Sequence, residues 1–268
     1  MRILRRFVGS LSLAAALSTE LPGRAAEPAT PAAKPFAETL SQANAGGAAG
    51  QYQLGVLYAT GQGVKRDYSE AARWYRKAAD QGYALAQHGL GGLYDEGQGV
   101  RKDYAEALKW YRLAAEQGHA AAQHSVGFLY ASGHGVAKDP AEAARWFRKA
   151  ADQGHALSQC NLAAMYSTGS GIEKDYAEAA KLYRLAAQQG SALAQYHLGV
   201  MYNNGDGVEA HEMEAYAWLN LAARTHEKAR KARDRLESRM SPEEIAAAQK
   251  RTRELRTQIE EQAAAKAK

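Results

Sequence analysis

From Ala48 onward the apolar residues of this chain recur at helical rather than strand spacing, in two alternating kinds of segment. In the first kind, Ala86, Leu90, Gly91 and Tyr94 fall on one face of a helix. In the second, Ala107, Trp110, Tyr111, Ala114 and Ala115 do the same, with Lys109 and Arg112 on the polar side. Gly97-Gln98-Gly99-Val100 separates the two. A glycine can adopt the left-handed conformation that stops a helix, and the valine is placed to tuck into the core. Asp103 then predicts the next helix start: its carboxylate accepts from free N–H groups, and Glu106 reaches back as in a capping box. The predicted unit is a helical hairpin with a glycine-bounded inner loop, closed by Gly118.

That unit repeats. Tyr58, Tyr94, Tyr130, Tyr166 and Tyr202 are 36 residues apart. Gly61, Gly97, Gly133, Gly169 and Gly205 keep the step, as do Gly63, Gly99, Gly135, Gly171 and Gly207. Asp67, Asp103, Asp139 and Asp175 follow, then Trp74, Trp110, Trp146, Leu182 and Trp218. A period of this length means stacked repeats. Pro140 falls at the first position of a helix, where its missing N–H costs nothing. In the fifth unit His211 stands in the aspartate column and Leu219 in the aromatic one.

Both ends read as caps. Residues 36–45 align with the tail of a second helix. At the other end, Ser241-Pro242-Glu243-Glu244 starts a final helix through Ile245, Leu255 and Ile259, expected to fray in the Ala/Lys tail.

The string Ala-Gln-x-x-Leu-Gly-x-x-Tyr-x-x-Gly-x-Gly-Val-x-x-Asp, followed by Ala-x-x-Trp-Tyr-x-x-Ala-Ala-x-x-Gly, resembles the Sel1-like repeat, a relative of the tetratricopeptide repeat. The resemblance implies an all-α, right-handed α-solenoid with C-terminal capping helices, whose members serve as adaptors in protein complexes. It divides the chain into a partial capping helix at 36–47, five repeats at 48–223 and capping helices with a frayed tail at 224–268.

Ahead of the repeats, Arg2, Arg5 and Arg6 precede an uncharged apolar run at 7–17, then small residues with cleavage expected after Ala25 or Ala26. This is the order of a secretory signal peptide over 1–26, followed by a Pro/Ala linker at 27–35. The apolar run is too short to span a bilayer, so a periplasmic or secreted protein without stable membrane insertion is expected. The formal charge of +5 owes more than half to this leader, which leaves too little to argue for nucleic acid. One cysteine, Cys160, excludes any intramolecular disulfide.

Searches for catalytic groups mostly fail. The His211-Glu212 start of a zinc-protease helix has no second histidine at the required spacing, and Gly-x-Gly-Val follows helices, not strands. No Ser-x-x-Lys is present, and the cysteine pairs of relatives linked to β-lactamase activity are missing. No catalytic residue, cofactor or metal is therefore expected, and the reading is a non-enzymatic adaptor for a protein or peptide partner. The rivals are a hydrolase acting on β-lactam or cell-wall compounds and a glycan binder that stacks tyrosines on sugar rings.

Columns that are constant must serve stacking, whereas columns that vary are free to carry recognition. One varying stripe of the first helices contains Tyr52, Val56, His88, Asp95, His124, Phe128, Cys160, Tyr196, Val200 and Asn203. In an α-solenoid the first helices line the concave surface, so this stripe is the candidate protein-binding groove, with packing between first helices as the competing role. His88, His124 and Cys160 come from three successive units, too far apart for one zinc ion. The constant glutamines Gln51, Gln87, Gln123, Gln159 and Gln195 are expected to bond a neighbouring loop or tyrosine. His119 and His155 read as loop residues, and Arg76, Arg112, Arg148 and Arg184 as a polar side near Asp80 or Glu116. Arg73, Lys109, Arg145 and Lys181 read as a solvated face paired with acids three residues earlier.

Overall fold

The structure is a computed structural model and describes residues 36–266; the expected signal peptide and linker lie outside the described residues. Among the described residues every regular element is a helix. In chain order they are α1 (Phe36–Asn44), α2 (Ala48–Thr60), α3 (Tyr68–Asp80), α4 (Ala84–Glu96), α5 (Tyr104–Glu116), α6 (Ala120–Ser132) and α7 (Pro140–Asp152). Then follow α8 (Ala156–Thr168), α9 (Tyr176–Gln188), α10 (Ala192–Asn204), α11 (Glu212–Ala222), α12 (Glu227–Glu237) and α13 (Pro242–Lys266). The packing divides the chain into two units after Ala150, and each is described by itself.

In the first unit consecutive helices from α1 to α6 pack on one another in chain order. Ala71, Ala78, Ala86 and Leu90 are fully buried where α3 meets α4, and Val100 packs against this cluster as the loop pattern predicts. The first glycine of each loop ends its helix at positive φ: Gly97 has φ 74° and donates to the Leu93 carbonyl. The second glycine has another reason to be there. Gly99 lies so close to the preceding hairpin that a Cβ would come within 2.2 Å of the Tyr68 backbone. Ser69 Oγ donates to the Gly99 carbonyl at 3.2 Å. The loop is thus a stacking surface as well as a stop. α1 fills the place of a missing second helix, burying Thr39 and Ala43 against α2.

In the second unit α8 packs on α9, α9 on α10, and α10 on α11. α12 and α13 both pack on α11, and α12 also touches α10. Ala215, Leu219, Ala229, Leu236 and Ala248 form the core that joins these elements.

Helix starts follow the aspartate column. Asp67, Asp103 and Asp175 each accept from two N–H groups in the first turn, and Asp139 accepts from Glu142. The expected reciprocal bond is not made at the repeats. The Asp67 N–H donates to the Tyr58 carbonyl at 2.9 Å, and Asp103 and Asp139 do the same to Tyr94 and Tyr130. With that donor already taken, Glu70 pairs with Arg73 instead. A full capping box forms only outside the repeats, where Ser241 N–H donates to Glu244 at 2.8 Å and Glu244 N–H donates to Ser241 Oγ at 3.2 Å.

Over the described residues α13 runs to Lys266, as Ala, Glu, Gln and Lys all favour helix. The arginine column does more than mark a polar side. Arg76 and Arg112 reach forward to the hydroxyls of Tyr94 and Tyr130 in the next hairpin, and Arg184 does so to Tyr202 at 2.8 Å. The charge-assisted bond lets a buried tyrosine ring keep its hydroxyl partnered at the hairpin boundary.

Candidate functional site

The candidate stripe begins with backbone constraints. Tyr52, His88, His124, Cys160 and Tyr196 each lie directly after the constant glutamine, whose amide holds the first helix in place. Gln51, Gln87 and Gln123 donate to the carbonyls of Ala43, Ala79 and Ala115 in the preceding helix, at 3.1–3.4 Å. Gln159 and Gln195 donate likewise to Ala151 and Ala187. The oxygens of Gln51, Gln87 and Gln159 each accept from a second glutamine at the end of the same hairpin, Gln81, Gln117 and Gln189 in turn, at 2.7–2.8 Å. The partners are thus helix-end carbonyls and glutamines, not tyrosines. A buried amide needs all its bonds met, and this arrangement meets them.

In the first unit the stripe residues are half-buried and face the second helix of their own hairpin. Tyr52 stacks on Tyr75 with ring centroids 5.6 Å apart, and also meets Tyr83 at 5.4 Å. Val56 packs against the same cluster. His88 lies 5.4 Å from the Tyr111 ring and 4.9 Å from His119, and His124 lies 5.4 Å from Phe147. The column therefore takes part in packing: it wedges between the second-helix aromatic and the residue that opens the next hairpin.

Two stripe residues are brought together by a side chain that the sequence reading passed over. His134, in the loop after α6, lies edge-on to Phe128 at 6.3 Å and stacks on Tyr104 at 4.6 Å. It also contributes, with Lys102, to the positive field at Asp95. Asp95 accepts from the Tyr111 hydroxyl at 3.4 Å. Burial nevertheless raises the Asp95 carboxyl above the ordinary aspartate value, against the lowering from Tyr111, Lys102 and His134. The first unit thus offers an aromatic ring, an imidazole and a desolvated carboxylate in one neighbourhood. His134 is hard to find from sequence because its column, Gln62, Gln98, His134, Ser170 and Asp206, looks like ordinary loop variation.

In the second unit Cys160 is buried, Tyr196 and Val200 are half-buried, and Asn203 is exposed. Cys160 is 3% exposed, with Sγ 3.5 Å from the Ser191 hydroxyl. Tyr196 stacks on His226 at 4.7 Å and meets His197 edge-on at 5.0 Å. Val200 packs against the α11–α12 core. Asn203 is exposed and accepts from Arg239 at 3.0 Å. α12 therefore sits over the stripe of α10 as a further first helix would.

His119 and His155 are not plain loop residues. His119, His155 and His226 are N-caps whose Nδ1 accepts from Ala122, Ser158 and Ala229, and Ser191 caps through its hydroxyl. His211 caps α11 in the same way, so it replaces aspartate in function too. The signal was present in the register, since these residues stand one before the helical pattern begins. Among the described residues there is no group of three His, Cys, Asp or Glu side chains that could hold a metal ion. No described helix is long and apolar enough to cross a membrane.

Comparison with solved structures finds the same arrangement elsewhere. A protective antigen of uropathogenic Escherichia coli strains displaying an SLR fold superposes with a TM-score of 0.75 at 34% identity. The match covers 85% of this chain but 48% of that one, so the chain spans about half the length of that relative. A Sel1 repeat protein from Oxalobacter formigenes gives a TM-score of 0.66 at 35% identity, covering 70% of this chain and 78% of the other. A search of curated proteins gives no match. The Sel1 repeat model matches five times, at 48–83, 84–119, 120–155, 156–191 and 192–224, without a gap between them. The all-α hairpin array is the Sel1 repeat solenoid fold, and the chain belongs to the Sel1 repeat family.

Proposed function

We propose that this chain is a non-enzymatic adaptor that holds a segment of another protein along the first-helix face of its repeats. The Sel1 membership supports this class of role. The observation that carries the reading is the grouping of Asp95, Phe128 and His134 in the first unit, where half-buried aromatic surface adjoins a carboxylate and an imidazole. Such a mixture suits contact with a partner carrying both apolar and cationic side chains. Tyr52, Val56, His88 and His124 extend the face along α2, α4 and α6; Cys160, Tyr196, Val200 and Asn203 are the corresponding residues of α8 and α10. The site of action is the periplasm or the exterior, on the strength of the leader pattern at 1–26.

The test is chemical crosslinking in the native cell, read by mass spectrometry, with wild type beside Phe128→Ala and Asp95→Asn. One specific crosslinked protein, lost in both variants while thermal melting stays near wild type, is the expected result. An unchanged crosslinking pattern in both variants excludes this face.

A further inference from the structure

The glutamine column ends in a cavity. Thirty residues after Gln51, Gln87 and Gln159 stands the glutamine that donates to each, but thirty residues after Gln195 stands Thr225, which is too short to span the gap. Gln195 keeps its bond to the Ala187 carbonyl at 3.2 Å, and among the described residues its Oε1 receives no donor. The space left behind has a volume of about 230 Å³ and is lined in part by Gln195, Arg224, Thr225, Arg256, Ile259 and Glu260.

Two arginines face this space without partners. Arg256 Nε is buried and has no hydrogen-bond partner. Neither Arg256 nor Arg224 forms an ion pair among the described residues, although Glu260 lines the same cavity. The guanidinium N–H groups of Arg224 and Arg256 that border the cavity are donors for a bound acceptor. Paired guanidinium groups match the planar fork of a carboxylate. The free amide oxygen of Gln195 asks for the opposite, an N–H donor. A doubly charged phosphate meets the donors, but its second charge is repelled by Glu260, which lines the same cavity. The volume suits one small residue, not a drug-sized ligand.

We infer that this cavity binds the C-terminal residue of a peptide chain, its carboxylate on Arg224 and Arg256 and its amide N–H on Gln195 Oε1. Ile259 supplies an apolar wall for a small side chain. The site lies wholly in the second unit and does not depend on the adaptor face of α2, α4 and α6.

The full chain is titrated by calorimetry at low salt with N-acetyl-glycyl-alanine, its C-terminal amide, N-acetylalanine and inorganic phosphate. The free acid binds saturably, and the amide binds at least about tenfold more weakly, the loss expected for a charge-assisted pair. Arg224→Gln and Arg256→Gln each bring the same loss with unchanged far-ultraviolet dichroism. Glu260→Gln, at an exposed position, tightens the acid by removing a competing carboxylate. N-acetylalanine binding as well as the dipeptide confirms that the terminal residue is the whole determinant. Equal binding of acid and amide, tighter binding of phosphate, or no saturation below about 10 mM overturns the assignment. The acid-to-amide comparison on the unaltered chain needs no variant to fold.

Discussion

The ring of Tyr111 closes over the backbone of Gly91, so that a methyl group at Gly91 would stand 2.6 Å from the ring. The same contact joins Gly55 to Tyr75 at 2.5 Å, Gly127 to Phe147 at 2.8 Å, and Gly199 to Leu219 at 2.7 Å. Glycine in mid-helix normally weakens a helix by about 1 kcal/mol relative to alanine. Here it makes the flat bed on which the hairpin closes.

Gly91→Ala is therefore destabilising despite the better helix former. Overpacking of this kind costs about 1–3 kcal/mol, enough to exceed the gain in propensity. Urea unfolding followed by dichroism should show a lower midpoint for Gly91→Ala. A rise in the midpoint contradicts the packing argument.

Gln87 lies at a junction, donating to Ala79 and accepting from Gln117. Gln87→Leu removes two bonds at this junction, although Gln117 keeps the Leu113 carbonyl and Ala79 keeps the Gly82 N–H. Each such bond contributes about 1 kcal/mol. A drop in thermal midpoint is expected, larger than that of the same change at exposed Gln62. Equal effects at the two positions refute a structural role for the column.

His197 gives the chain an acid-sensitive point. It is buried against Tyr183, with centroids 4.9 Å apart, and burial pushes its imidazole down from 6.5 to about 4, helped by positive charge at His226 and Lys228. The unfolded chain takes up a proton near pH 6.5 and the folded chain only near pH 4, so stability is complete above the first value and falls as pH drops toward the second. By pH 5 the loss is about 2 kcal/mol. His197→Phe should flatten the dependence of the urea midpoint between pH 7 and 5. An equally steep slope in His197→Phe excludes it as the source.

The exposed ion pairs predict almost nothing. Arg145 bonds Glu142 at 2.6 Å with 72% of the arginine side chain open to solvent. Such pairs contribute about 0–1 kcal/mol. Arg145→Ala should leave the melting midpoint within a degree or two, in contrast to Gly91→Ala.

The hairpins, their order and their loops were legible because each of those features is a local pattern repeated five times. Leu90, Gly91, Tyr94 and Val100 announce their places by spacing alone. The partners of Gln87 and Arg76 were not legible, since they lie in adjacent helices and depend on which turn of one helix meets which turn of the next. His119 was misplaced because histidine is a rare cap, and only its position before the helix marks it as one. The stripe itself could be drawn from variation between units. Its burial could not, since the covering of Cys160 and Tyr196 is set by Ser191 and His226 about thirty residues away.

Within either unit the glutamine side chains point one way, each amide seeking a carbonyl that the chain has already laid down. On this column, losing an earlier hairpin strands a buried donor, whereas losing a later one uncovers a carbonyl that water can satisfy. The array thus has a grain. During synthesis from the N-terminus each new hairpin finds its docking surface finished, so the direction of translation and the direction of assembly coincide.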